Sequence, residues 1–350
     1  MNVGIVGCGV ISAAHIKAWK RTPGFTVRGV IDTNTEQAQK RAKEFGVPNT
    51  YDKLEQLIAE CDVVDVCTPP ASHAAIAEQA IKSGRHIVME KPVVTKLEDW
   101  DRLSAQIAKT KTKLAVIHNT KFVRSLQTAK AWVEAGRIGE VIRIHREFLT
   151  HPSADRMLVG DNHWSHKLPG GRWFETLPHE LYLTHWLAGP LKLSSVTAVK
   201  TPHGPSGAPA DEVLVVLTGD RCIGTFEFSA NCEQNRRTIT LQGTKGRITV
   251  DMLGDFADIS TQTDAKLKRA FGTAILEAGQ TLLRAAPDRV GYGLARLQKQ
   301  SPHVKIIQAL GKNLQGQGEE PTPFAEVDYV IRLGDTICKE IDRQIGRTVS

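Results

Sequence analysis

The residues Gly7-Cys8-Gly9-Val10-Ile11-Ser12 follow a short apolar run, 2–6, and open a helical pattern, 12–21. Two glycines so placed have a specific chemical use. Gly7 permits a tight turn, and Gly9 lets the backbone come close to a pyrophosphate. The helix start at Val10 and Ile11 then offers N–H groups and a positive dipole end to phosphate. Ser12 occupies the third glycine position and is small enough for close helix–strand packing. Asp32 ends the next apolar run, 25–31, at the distance of about 20 residues that the dinucleotide fingerprint requires. A carboxylate there accepts hydrogen bonds from ribose hydroxyls and repels a 2′-phosphate, and Thr33 and Asn34 bring no positive charge to offset this. Together these features predict a bound dinucleotide, NAD in preference to NADP. A plain tight turn and a solvated carboxylate are the alternatives for each feature alone.

Two further corners carry reactive groups. Cys67-Thr68-Pro69-Pro70 ends a buried run ahead of a helix, with His73 in that helix's first turn. Met89-Glu90-Lys91-Pro92 ends another run, where Pro92 removes a backbone donor and stops the strand. Both belong at strand carboxyl ends, where open α/β sheets bind ligands. A lysine beside a positive nicotinamide has its pKa lowered and handles a proton. A surface lysine paired with Glu90 is the plainer reading of Lys91.

The order of these motifs, GCGVIS, Asp32, TPP with His73, then EKP, resembles the Gfo/Idh/MocA oxidoreductase family, and the likeness spans nearly the whole chain. The resemblance implies that Lys91 lies at the nicotinamide and substrate and assists catalysis. It also implies that Asn119 and Arg124 stand near cofactor and substrate. The family's second catalytic element is an Asp-x-x-x-His pair after a Gly-Gly turn; here the stretch is Gly170-Gly171-Arg172-Trp173-Phe174-Glu175-Thr176-Leu177-Pro178-His179. His179 therefore resembles the general acid/base, a role its near-neutral titration suits, with a hydrogen-bonded structural histidine as the alternative. Glu175 replaces the usual Asp, and Tyr182 stands where many relatives carry Asp. An i, i+4 spacing puts Glu175 and His179 on one helix face if the helix begins early. Pro178 argues instead for a helix that starts there.

The loop before this pair, Asp161-Asn162-His163-Trp164-Ser165-His166, combines groups suited to a sugar: Trp164 for a ring face, Asn162 and His163 for hydroxyls. A loop simply pinned by its Trp is the alternative. Arg172 suits a carboxylate or phosphate, or else a salt bridge. His163, His166 and His179 offer metal-binding nitrogens, but their spacing matches no common zinc pattern, and no metal is expected.

The elements that must position these groups are short apolar strands alternating with helices up to about residue 119, which predicts a doubly wound parallel Rossmann sheet. Expected strands are 2–6, 25–31, 63–67, 87–89 and 114–117; expected helices are 12–21, 35–45, 71–83 and 96–109. Beyond it, a helix to 136, strands at 141–149, 191–199, 213–218, 222–229, 237–242 and 247–251, and a last helix at 325–345 predict an α+β domain on one large open, mostly antiparallel sheet. The expected division is 1–119 for the dinucleotide and 120–350 for substrate binding and oligomerisation.

With 350 residues and 41% hydrophobic content the chain is long enough for two packed domains. Its net charge of +7 is spread out, with no run of five Lys/Arg and no helix-turn-helix or zinc-finger pattern, which excludes ordinary nucleic-acid binding. Six cysteines, Cys8, Cys61, Cys67, Cys222, Cys232 and Cys338, form no C-x-x-C pair and point to a reducing, cytoplasmic compartment. The start of the chain reads as a strand with no secretory signal, and no apolar stretch reaches membrane-spanning length. Within 264–300, apolar residues recur at helical spacing with basic residues off the stripe. That pattern fits a helix packed on the domain or on a neighbouring subunit, or a basic helix on an anionic membrane.

The expected protein is thus a cytoplasmic, homo-oligomeric NAD-dependent oxidoreductase that passes a hydride between nicotinamide and a carbon of a sugar, inositol, sugar acid or nucleotide-sugar. The alternatives are an NAD-retaining glycoside hydrolase that works by transient oxidation, and a non-catalytic dinucleotide-binding module.

Overall fold

The computed structural model describes residues 1–158, 163–205, 208–261, 279 and 301–348. The chain forms two compact units, one of residues 1–119 with 301–335, the other of 120–300 with 336–350.

The first unit is built on six strands: β1 Asn2–Val6, β2 Thr26–Ile31, β3 Asn49–Thr50, β4 Val63–Val66, β5 His86–Met89 and β6 Leu114–Val116. They lie in the order β3-β2-β1-β4-β5-β6, and every pairing is parallel. The helices between them are α1 Ser12–Trp19, α2 Thr35–Phe45, α3 Leu54–Ala59, α4 His73–Lys82 and α5 Leu97–Ile107. The apolar strands are buried on both faces, and Val64, Val66, Ile87, Met89, Leu103 and Trp100 share one core. Strand order reverses between β1 and β4, the switch point at which such sheets bind ligands. Of these elements, β3 and α3 have no counterpart in the sequence expectations; a two-residue strand and a six-residue helix are too short to show periodicity.

Residues 301–335 join this unit, whereas the expected division assigned all of 120–350 to the second. The cause is a set of specific contacts. Helix α8, Pro302–Leu314, packs on α1. Its N-cap Ser301 accepts from the Val304 N–H, with Pro302 just inside. From the start of the last helix, Val327 enters the sheet core, the Trp100 indole donates to Asp328 at 2.8 Å, and buried His118 pairs with Glu326 at 2.8 Å.

The second unit holds α6 Arg124–Glu134, β7 Val141–Leu149, α7 Arg172–Ala188, β8 Lys192–Val199, β9 Glu212–Thr218, β10 Ile223–Ser229, β11 Arg236–Gly243, β12 Gly246–Asp251 and β13 Phe256–Thr261. The last helix, α9 Phe324–Gln344, crosses the boundary between the units at 335/336. The sheet runs β13-β12-β11-β7-β10-β9-β8 and is antiparallel except for the parallel β7–β10 pair. Alternation along the strands buries one face, with Ile144, Phe148, Val215, Phe226, Phe228 and Ile239 in the core. Trp173 of α7 lies on this face, stacked on Phe228 at 4.7 Å between ring centroids and edge-on to Phe148 at 5.9 Å. Its indole N–H donates to the Ala210 carbonyl at 3.0 Å, so a large apolar surface is buried with its one polar group paired. Arg146 of β7 and Glu180 of α7 form a buried ion pair on the same face.

Candidate active site

In the first unit the expected residues sit at the carboxyl ends of the central strands. Gly7 has φ +93°, and a Cβ there would lie 2.8 Å from the Cys67 carbonyl carbon, so only glycine fits this close approach of two strand ends. A Cβ on Gly9 would meet nothing within 4 Å. That open space over a helix start is where a pyrophosphate would rest. Val10 is 89% exposed, Ile11 is the N-cap residue of α1, and the buried Ser12 hydroxyl donates to the Gly9 carbonyl at 2.6 Å.

Asp32 does more than its position foretells. One carboxylate oxygen accepts from the Cys8 N–H at 2.7 Å and the other from the Asn34 N–H at 2.8 Å. It thus ties the glycine turn to the end of β2. Arg41 of α2 donates to the carbonyls of Cys8 and Gly9, at 3.2 and 2.8 Å. This fixes the turn's carbonyls on the α2 side. The residues present fit an NAD pyrophosphate on the turn and a ribose at Asp32.

His73, in the first turn of α4, lies between two corners of the sheet edge. Its ring is buried, with Nδ1 2.8 Å from the Pro92 carbonyl and Nε2 2.8 Å from the Thr68 carbonyl. Burial lowers its pKa, against the pull of those two carbonyls. The ring fastens the Thr68-Pro69 corner to the Lys91-Pro92 corner, whose peptide bond is cis. Lys91 is half-buried at the end of β5, and its backbone N–H donates to the Glu90 carboxylate at 3.2 Å. Asn119 approaches His303 of α8 through its amide nitrogen at 3.1 Å.

In the second unit the helix around His179 begins at Arg172, not at Pro178. Gly171 at φ +62° caps it, so the chain turns into the helix two residues after Pro169, and Pro178 is carried inside. The missing Pro178 N–H leaves a gap in the ladder of a helix that Trp173 and Glu180 anchor to the sheet. Glu175 and His179 consequently share a helix face.

His179 Nδ1 lies 2.6 Å from the Tyr182 hydroxyl and 2.9 Å from the Thr120 hydroxyl. Tyr182 is fully buried and also accepts from the Thr120 N–H at 3.2 Å. Burial raises its pKa, and it stays a phenol. Tyr182, which stands where many relatives carry Asp, contacts His179 through its hydroxyl. Thr120 belongs to the same cluster; nothing in the local sequence marks it, because the contact spans 59 residues.

For Arg172 the structure shows the salt-bridge alternative. Its guanidinium is buried and donates to Asp155 at 2.8 and 3.0 Å, to Glu175 at 2.9 Å and to Thr176 at 2.5 Å. The side chain holds the loop at 155 to the helix start. Arg124 heads α6, where it donates to the Asp255 carbonyl at 2.9 Å. His163 caps the 3-10 turn Trp164–Lys167, with Nδ1 2.7 Å from the Ser165 hydroxyl. Burial, then His166 and Arg172, lower its pKa. Asp161, Asn162 and the segment 264–300 apart from 279 lie outside the described residues, as does the Trp164 side chain. Among the described residues, His163, His166 and His179 do not form a group close enough to share a metal ion.

A glycine turn at a sheet switch point, an acid ending β2 and a lysine ending β5 define a dinucleotide-dependent oxidoreductase. Residues 1–118 match the family model described as "Oxidoreductase family, NAD-binding Rossmann fold", and residues 126–249 match the GFO/IDH/MocA C-terminal domain. The chain belongs to the Gfo/Idh/MocA family of NAD-binding oxidoreductases. It is 25% identical to a levoglucosan dehydrogenase of Pseudarthrobacter phenanthrenivorans, over 98% of this chain and 97% of that one. It is 24% identical to the myo-inositol 2-dehydrogenase of Thermotoga maritima, over 72% and 75% of the two chains. The WlbA dehydrogenase of Bordetella pertussis, solved in complex with NADH and UDP-GlcNAcA, superposes with a TM-score of 0.78 at 22% identity, over 98% and 96% of the chains. Among the described residues no helix is long and apolar enough to cross a membrane.

Proposed function

We propose that this enzyme is an NAD-dependent dehydrogenase of a secondary hydroxyl on a sugar, inositol, sugar acid or nucleotide-linked sugar. The observation that carries this reading is the placement of four features at the carboxyl ends of adjacent parallel strands: the glycine turn after β1, Asp32 after β2, Thr68-Pro69 after β4 and Lys91 after β5. The substrates named for the relatives support the sugar class.

NAD, when bound, supplies the hydride acceptor. The turn at Gly7 and Gly9 holds the pyrophosphate, Asp32 the ribose hydroxyls, and Thr68 and Pro69 flank the sheet edge. Lys91 or His179 takes the hydroxyl proton as the C–H hydride leaves, so the alcohol becomes a carbonyl. The Tyr182 and Thr120 hydroxyls at Nδ1 orient the His179 ring for this exchange. Glu175, beside Arg172, bears on the orientation of the helix face that carries His179. His163 and Arg124 are candidates for hydroxyl contacts.

NADH absorbance, followed while the protein meets NAD and a panel of sugars, inositols, sugar acids and nucleotide-linked sugars, tests the reading. A rise with one class, lost in Lys91→Ala, supports it; normal turnover in both Lys91→Ala and His179→Ala sinks it. Release of free sugar without net NADH identifies the retaining hydrolase instead. All six cysteines are free thiols, five of them buried, which supports a cytoplasmic setting. Val199, Leu214 and Ile223 are exposed apolar side chains on the outward sheet face, which supports self-association.

A further inference from the structure

His15 lies on α1, three residues after Ser12, and its side chain is fully buried. A carboxylate meets each of its ring nitrogens. Nδ1 is 2.9 and 3.0 Å from the two oxygens of Asp65, and Nε2 is 3.0 Å from Glu90 Oε1. Asp65 is itself fully buried in the middle of β4 and accepts from the Trp19 indole at 2.7 Å. An acid inside an apolar parallel strand is costly unless its lone pairs are used, and here His15 and Trp19 use them. The groups facing His15 are Asp65 and Cys67 from β4 and its end, Glu90 from the end of β5, and His303 from α8, with ring centroids 5.9 Å apart; Lys91 in turn acts on Glu90.

Glu90 has two different oxygens. Oε1 takes His15 and lies 3.6 Å from His303; Oε2 accepts the backbone N–H of Lys91. The carboxylate therefore stands between a fixed imidazole on the cofactor helix and the peptide that presents the lysine. We propose that His15 is a positioning residue: it anchors Glu90, and through Glu90 it sets the Lys91 peptide relative to the glycine turn that begins its own helix. This rests on the reading of Lys91 as a catalytic residue. It adds to that reading a path, α1 to β5, through which the cofactor-binding helix and the catalytic lysine keep a fixed register. The bland alternative is that His15 only fills and stabilises the core.

A double-mutant cycle separates the two. His15→Leu, Glu90→Gln and the double variant are assayed for NADH affinity by fluorescence and for turnover with whichever panel sugar gives the largest NADH signal. His15→Gln, which keeps an amide donor toward Glu90, tests rescue and stands in if His15→Leu does not fold. The expected result is turnover lowered about 10-fold or more in each single variant, with NADH affinity within about 3-fold of the parent. The double variant is no slower than the slower single, because both act through one carboxylate. His15→Gln recovers part of the loss. Normal turnover in His15→Leu alongside an inactive Lys91→Ala overturns the proposal. So do losses that multiply in the double variant, or NADH affinity that falls in step with turnover. Full turnover in Lys91→Ala removes instead the reading on which the proposal rests.

Discussion

The Tyr182 hydroxyl lies 2.6 Å from Nδ1 of His179, three residues back along the same helix, and it contacts the Thr120 hydroxyl as well. One phenol and one threonine thus hold a single imidazole nitrogen. Because Nδ1 is occupied in this way, ring orientation is set by groups that do not themselves need to change charge.

Tyr182→Phe keeps the buried ring and removes only the hydroxyl. It leaves the Thr120 N–H without that acceptor, so a stability loss of about 1–3 kcal/mol is expected. Turnover is expected to fall roughly 10-fold to 100-fold while NADH affinity is unchanged. Thermal melts and steady-state kinetics check both. Turnover equal to the parent shows that His179 needs no such support.

The two glycines of the turn respond differently to the same substitution. Gly7→Ala puts a Cβ against the Cys67 backbone at a positive φ, so it destabilises the fold, by about 2 kcal/mol or more. Gly9→Ala meets no protein atom, so the melting temperature holds while NADH affinity falls about 10-fold or more. Undiminished NADH binding in Gly9→Ala would mean that the open space there is not the pyrophosphate site.

Asp32→Asn keeps an acceptor for only one of the Cys8 and Asn34 N–H groups, turns an amide donor toward the other, and removes the charge. Weaker NADH binding by about 10-fold is expected, with a smaller preference over NADPH. Fluorescence titration with both cofactors measures the two constants. An unchanged ratio places discrimination elsewhere, with Arg41 the first candidate.

The pH dependence of stability carries its own sign. Burial disfavours the His15 imidazolium, but Asp65 and then Cys67 outweigh it and hold His15 well above its ordinary value of 6.5. A group raised on folding stabilises fully below its unfolded value and loses that contribution as pH climbs through the folded one. Glu90, held down by His15 and His303 against the effect of burial, stabilises above its ordinary 4.5 and loses this as pH falls. The difference in melting temperature between parent and His15→Gln is therefore widest between 4.5 and 6.5 and narrows as pH rises above that window. A difference that grows with alkaline pH contradicts the charged assignment.

Arg347 donates to the carbonyls of His166 and Leu168, at 2.7 and 3.0 Å, and Asp342 accepts from the Gly170 N–H at 2.9 Å. The last turn of the chain thereby pins the loop that leads into α7. Arg347→Ala is expected to speed hydrogen exchange in the 163–171 peptide by about 10-fold while exchange in β9 and β10 is unaltered. Equal protection in both variants shows that the loop holds its form without the clamp.

Much of the Rossmann sheet was legible because its signals are local. Gly7, Gly9 and Asp32 announce their role through spacing to a strand and a helix, and apolar runs announce buried strands. The helix start at Arg172 was misread for a related reason. Pro178 is a strong local signal, but a positive-φ Gly171 and the burial of Trp173 decide where α7 begins. Arg172 suits an anion or a salt bridge by chemical type, and Tyr182 and His73 are marked only by their place in the family's motifs. Their side chains turn inward to partners such as Asp155 and Thr120, or to the carbonyl of Pro92, and residue type does not disclose direction. Asp65 within Val63–Val66 was the available hint of the buried network, since an acid in an apolar strand requires a partner; His15 and His303 lie 50 and more than 200 residues away from it.

The return of residues 301–335 to the first unit bears on how the protein is made. The glycine turn is synthesised about 300 residues ahead of Thr322, Glu326, Val327 and Asp328, on which the sheet it serves depends. The first unit is completed only after residues 120–300 of the second have been made. Until then, the core around Trp100 and the buried His118 must wait with an open seam, at the mercy of whatever chaperones attend the nascent chain.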